Sequence, residues 1–93
     1  MIIGVLLLEV HFPGARSLKD KRKSLSGFRD RVRGRHNAAV AELDFQDKWQ
    51  RARIGVVTIN SNRCVVENVL ARVLSEADMF LDGEVVGHEV QVF

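Results

Sequence analysis

Ninety-three residues with 46% hydrophobic content are enough for one packed core and exclude an intrinsically disordered chain. The single cysteine, Cys64, excludes an intrachain disulfide, and the apolar run from Ile2 to Leu8 falls far short of the ~20 residues that span a bilayer. The net charge is only +2, but it is unevenly placed: nine of the fourteen Lys and Arg residues lie between Arg16 and Arg35, opposed there by Asp20 and Asp30 alone. That segment carries +7 and leaves −5 for the rest.

Ile2 to Phe12 is rich in Ile, Val and Leu and ends at Pro13-Gly14, which predicts a strand and a turn. Ile2, Leu6, Leu8, Val10 and Phe12 share one face; Ile3, Val5 and Leu7 share the other, before Glu9 and His11. A strand apolar on both faces is expected at the centre of its sheet, covered on both sides. No basic stretch precedes it and no small-residue cleavage site follows, so it is not expected to be a signal peptide. A soluble, cytoplasmic protein is the expectation.

Ser17 opens a helix, with Ser17-Leu18-Lys19-Asp20 resembling a capping box in which Asp replaces the usual Glu. Leu18, Leu25, Phe28 and Val32 form a narrow apolar stripe of about 80° at 3.6 residues per turn. Arg22, Arg29 and Arg33 flank one edge of it, and Lys19 and Lys23 lie further round. Gly34 is the expected C-cap. Ala38 to Phe45 alternates as a second strand. Gln46 to Gln50 is polar except for Trp49 and leads to a third strand, Arg51 to Asn60.

Asn60-Ser61-Asn62 is a turn and N-cap cluster. The helix that follows, to about Asp78, has an apolar stripe of Val66, Val69, Leu70, Val73, Leu74 and Ala77. After the turn at Asp82-Gly83, Glu84 to Phe93 is a last strand with Val86, His88, Val90 and Val92 on one face. The order βαββαβ is that of an α+β, ferredoxin-like fold: a four-stranded antiparallel sheet with both helices on one face, residues 1–93 forming one domain.

Three stretches resemble the YlxP-like family of small bacterial proteins. They are Met1-Ile2-Ile3-Gly4-Val5 continuing to Pro13-Gly14 and Ser17 to Arg22; Val40 to Ala52, with its Gln46-Asp47 and Trp49-Gln50-Arg51; and Asn60-Ser61-Asn62. The resemblance implies a ferredoxin-like fold. It also implies a role near RNA, because genes of the family often lie beside those for translation and ribosome-maturation factors. It supplies no catalytic residues.

Clustered long cations with few competing carboxylates suit phosphate binding, and Arg adds bidentate geometry. The candidate nucleic-acid contacts are therefore Lys19, Arg22, Lys23, Arg29 and Arg33, with Trp49 and Arg51 as auxiliaries. The alternative is a solvated face whose stems cover apolar surface. The third strand has no aromatic residue and the chain has no Tyr, so base stacking on the sheet is not expected. The partner expected is structured RNA read through its phosphates, and no cofactor or membrane is expected.

No histidine pair among His11, His36 and His88 has metal-ligand spacing, although the first and last strands have the means to bring His11 near His88. Glu9, Glu42, Asp44, Asp47 and Glu89 are strand and turn carboxylates; Asp44 and Asp47 are expected to organise a turn. Cys64 is expected as a small buried hydrophobe. The acylphosphatases share this topology, but the Gly-rich anion loop they place after the first strand has no counterpart in His11-Phe12-Pro13-Gly14-Ala15-Arg16. No catalytic or metal residues are assigned. Two other functions remain open: homo-oligomeric assembly through the open sheet face or an edge strand, and a small-ligand sensor or enzyme of ferredoxin-like type.

Overall fold

The first strand, β1 (Ile2–His11), has no charged residue before Glu9 and takes the centre of the sheet. In the computed structural model, which describes residues 1–93, it pairs antiparallel with β3 (Arg51–Asn60) on one side and β4 (Glu84–Val92) on the other. The second strand, β2 (Ala38–Asp44), pairs with β3 and forms an edge, giving the order β2-β3-β1-β4. Two helices, α1 (Leu18–Arg35) and α2 (Arg63–Phe80), complete a ferredoxin-like α+β fold and pack on one face of the sheet.

Leu6, Leu8 and Val10 of β1 and Ala52, Ile54 and Val56 of β3 point under the helices and are fully buried. They meet Phe28 and Val32 from α1 and Val66, Leu70, Val73 and Ala77 from α2. Full burial of such a Leu, Val or Phe side chain stabilises the fold by about 1.5–3 kcal/mol. Gly4 sets how closely α2 approaches: a Cβ there would run into Val66 Cγ1 and come within 2.9 Å of Leu70 Cδ1. The other sheet face is uncovered, so β1 is central but packed on one side only.

Helix α1 begins as its sequence predicts. Ser17 Oγ accepts from Asp20 N at 3.1 Å, and the Asp20 carboxylate accepts from Arg16 N at 3.1 Å, one residue before the cap. Its end differs from expectation. Gly34 lies inside the helix, and the C-cap is His36, whose N–H donates to Val32 O at 2.8 Å. Asn62 caps α2, accepting from Cys64 N at 2.8 Å, and Asn60 Oδ1 accepts from Asn62 N at 2.9 Å. The helix continues to Phe80, two residues beyond the expected end.

Two irregularities change which side chains face the core. A bulge opposite Glu9 and Val10 inserts Val86 into β4, so Val85, not Val86, packs against the core. Val86 is exposed, and His88, Val90 and Val92 remain on the helix side of the sheet, opposite Leu8, Leu6 and Gly4. On β2, Leu43 is the extra residue of a second irregularity, and its side chain lies across Gly55, where an added Cβ would come within 2.7 Å of it. Phe45, expected as the last residue of that strand, instead turns out of it at φ 63°, in the left-handed region. Cys64 is exposed, contrary to expectation, because the buried stripe of α2 is centred on Val66 and Leu70 and the first turn presents Cys64 to solvent.

Candidate functional site

A lysine sits in the apolar stripe of α1. Lys21 falls between Phe28 and Val32 around the helix and is 0% exposed. Its Nζ donates to Phe45 O at 2.8 Å and Arg51 O at 3.1 Å, and lies 2.7 Å from Glu42 Oε2. One ammonium thus holds both ends of the β2–β3 connection and the last core-side residue of β2 against the first turns of α1. Left-handed Phe45 is steadied from both sides: Asp44 Oδ1 accepts its N–H at 2.8 Å, and its carbonyl accepts from Lys21 and from Lys48 N. Asp44 therefore organises the turn as expected.

With Lys21 removed from the surface, the other cations of α1 sort by the direction they face. Lys19, Arg22, Lys23, Arg29 and Arg33 are all exposed and occupy an arc of about 120° at 100° per residue. None of the five has a carboxylate oxygen within ion-pair distance. Asp30 is the one acid within the arc. From Lys19 to Arg33 the row runs about 21 Å along the helix. Arg31 and Arg35 point the other way, toward α2, where Arg31 stacks on Phe80 and Arg35 Nε stands 4.0 Å from Glu76.

The arc is not one pocket. Arg22, Ser26 and Arg29 line a groove of about 290 Å³ between α1 and β2, floored by Leu25, Val40 and Ile54. Lys23 lines a different concavity, beside Asp20 and Asp82. Trp49 and Arg51 come together in a third, with Phe45, Lys48 and Gln50. There Arg51 stacks 4.1 Å from the centroid of Phe45, while its Nη2 lies 4.0 Å from Glu9. Trp49 is 45% exposed. The structure thus unites Arg22 with Arg29 and Trp49 with Arg51, and leaves the two pairs in separate concavities.

The sheet face offers a different chemistry. It exposes Val57 and Ile59 beside half-buried Ile3, Val5 and Leu7, with one aromatic ring at its margin, the exposed Phe93, whose backbone pairs with Ile3. At one end Glu9 Oε1 accepts from Arg53 Nε at 2.6 Å. His11 lies on this face opposite Arg51, whereas His88 is on the helix side opposite Leu8, so the two histidines are on opposite faces of the sheet. Sequence reasoning missed the pair formed by His36 and Glu76, whose oxygens lie 3.1 and 3.2 Å from Nε2. Forty residues separate them, and no local pattern announces the contact.

The pattern defining the family described as "Protein of unknown function (DUF503)" matches residues 3–90. The chain belongs to this family. It is 37% identical over 79 residues to the uncharacterized protein YlxP of Bacillus subtilis strain 168, covering 85% of this chain and 86% of that one. The DUF503 chain also superposes over its whole length on a crystal structure of a C-terminal segment of the alpha subunit of aIF2 from Pyrococcus abyssi. The TM-score is 0.54 at 18% identity, and the match spans about half (49%) of that chain. This second likeness is one of fold.

Proposed function

We propose that this DUF503 protein is a non-enzymatic, RNA-associated protein that binds phosphates of structured RNA through the exposed arc of α1, with RNA of the ribosomal or translation apparatus as its target. The observation that carries this reading is the five exposed cations without carboxylate partners. An ordinary surface interleaves charges of both signs. Arg22 and Arg29 supply forked donors from the α1–β2 groove, Arg33 extends the row, and Lys19 and Lys23 add charge further round. Trp49 and Arg51 are auxiliary contacts near the start of the helix. The lack of aromatic residues along β3 supports phosphate and shape recognition over base reading.

The test is crosslinking and sequencing of bound RNA, wild type against Arg22→Glu/Arg29→Glu/Arg33→Glu, with a salt titration of the RNA identified. A defined RNA region lost in the variant is expected, with log K falling against log salt at a slope of about −3.5 to −4.5 for five phosphate contacts. Equal, scattered crosslinks in both proteins and a flat salt response would end the proposal.

A second reading, homo-oligomerisation through the open sheet face, is favoured by Leu43, Val57 and Ile59, exposed at 50%, 44% and 45% on that face. It is compatible with the first, since α1 and this face lie on opposite sides of the sheet.

A further inference from the structure

A larger concavity, of about 580 Å³, opens between the two helices on the side of α1 away from the exposed arc. Three guanidiniums line it: Arg31 and Arg35 from α1 and Arg72 from α2, joined by the Ser75 hydroxyl. Arg31 is fixed in place, its guanidinium carbon 3.6 Å from the centroid of the Phe80 ring. Such stacking sets the plane of the fork. Arg31 Nε is buried and has no acceptor within the protein. A buried donor without a partner is rare in a folded chain. A guanidinium whose plane is set by an aromatic ring, and which has no carboxylate partner, suits an anion.

The charge around the groove agrees. Glu76 is its only acid, and its oxygens are engaged by His36 Nε2 at 3.1 and 3.2 Å. Arg31 and Arg72 have no carboxylate partner at all. With His36 neutral, three arginines and one glutamate leave +2. A carboxylate ligand brings one negative charge. A phosphate monoester brings about −1.5 to −2 and three acceptor oxygens, which match several forked donors at once.

We propose that the α1–α2 groove binds a phosphate group. Arg31 serves as the fixed guanidinium, Arg72 and Arg35 close on the anion from the two helices, and Ser75 donates its hydroxyl. A small phosphorylated molecule would present three terminal oxygens to this site, and an RNA backbone two non-bridging oxygens at each phosphate. None of these residues belongs to the exposed arc of α1, so this proposal and the previous one fail independently.

The test is a titration of the protein with pyrophosphate, followed by nitrogen-15 NMR of the arginine Nε–H groups. Arg31 Nε–H is expected to shift saturably, and Arg72→Gln to weaken binding about tenfold or more, as loss of a charged hydrogen-bond donor does. Arg72 is exposed and free of ion pairs, so the substitution leaves the fold intact, which a melting curve verifies. Absence of a saturable shift at Arg31, or equal affinity in Arg72→Gln, overturns the site. The source is read from RNA crosslinks. Their loss in Arg72→Gln and displacement by pyrophosphate identify an RNA backbone; crosslinks unchanged in Arg72→Gln, beside pyrophosphate binding that this substitution weakens, identify a small phosphorylated ligand.

Discussion

Lys21 does a structural job in a segment whose other lysines are free. It is buried, bonded to two carbonyls and set against Glu42, whose side chain is 18% exposed. Replacing one partner of a buried pair strands the other, at a cost of about 3–5 kcal/mol. Lys21→Met should therefore destabilise the protein by about 3 kcal/mol in urea unfolding, while Lys19→Met and Lys23→Met change stability by less than about 0.5 kcal/mol. Lys21→Met/Glu42→Gln should recover part of the loss; a double variant no better than the single would mean that the two carbonyl bonds, not the ion pair, hold the side chain. From sequence alone, Lys21 is one more positive charge. Its position around the helix matches Phe28 and Val32, but the groups that make burial tolerable are carbonyls 24 and 30 residues away. Cys64 fails in the opposite sense: a residue type usually buried lies where the helix turns outward.

At the scale of elements, local signals gave starts more faithfully than ends. Ser17 and Asn62 cap the two helices as their side chains predict, because an N-cap bond closes within three residues. Helix α2 has no acidic residue in its first turn, so Asn62 carries the cap. Asn62→Ala should cost about 1 kcal/mol, lowering the melting temperature by about 4–8 °C; an unchanged melting curve would show that solvent caps the helix equally well. Helix α1 runs past Gly34 because a glycine permits termination without requiring it, and the contact that fixes His36 comes from α2. In β4, His88, Val90 and Val92 share one face as their alternation predicts and Val86 does not, since alternation within one strand does not reveal an extra residue relative to its partner. In the candidate site, the arc of Lys19, Arg22, Lys23, Arg29 and Arg33 was legible as the positions off the apolar stripe. The groove with β2 and the stacking of Arg31 on Phe80 were not, because both depend on which element packs beside α1.

Across the whole molecule, the helices cover one side of the sheet and leave the other bare. Val57 lies opposite Val5 in the middle of that bare face, between the pairs Ile3–Ile59 and Leu7–Gly55. Four strands about 4.8 Å apart and seven to ten residues long make a face of roughly 500 Å² in plan, on the order of one partner's share of a standard interface. If a second copy covers it, light scattering should give a dimer for the wild type and a monomer for Val57→Glu, with RNA crosslinks retained. A wild type that stays monomeric at high concentration would remove this reading and leave the α1 proposal untouched.

The β2–β3 connection has one more property that follows from its attachment. Lys21 grips the carbonyls of Phe45 and Arg51, so only residues 46–50 lie between two anchored points. A loop pinned at both ends has already lost much of its conformational entropy during folding. Whatever molecule lies against the ring of Trp49 therefore meets a surface whose backbone needs little further ordering, and a larger share of the contact energy is retained as affinity.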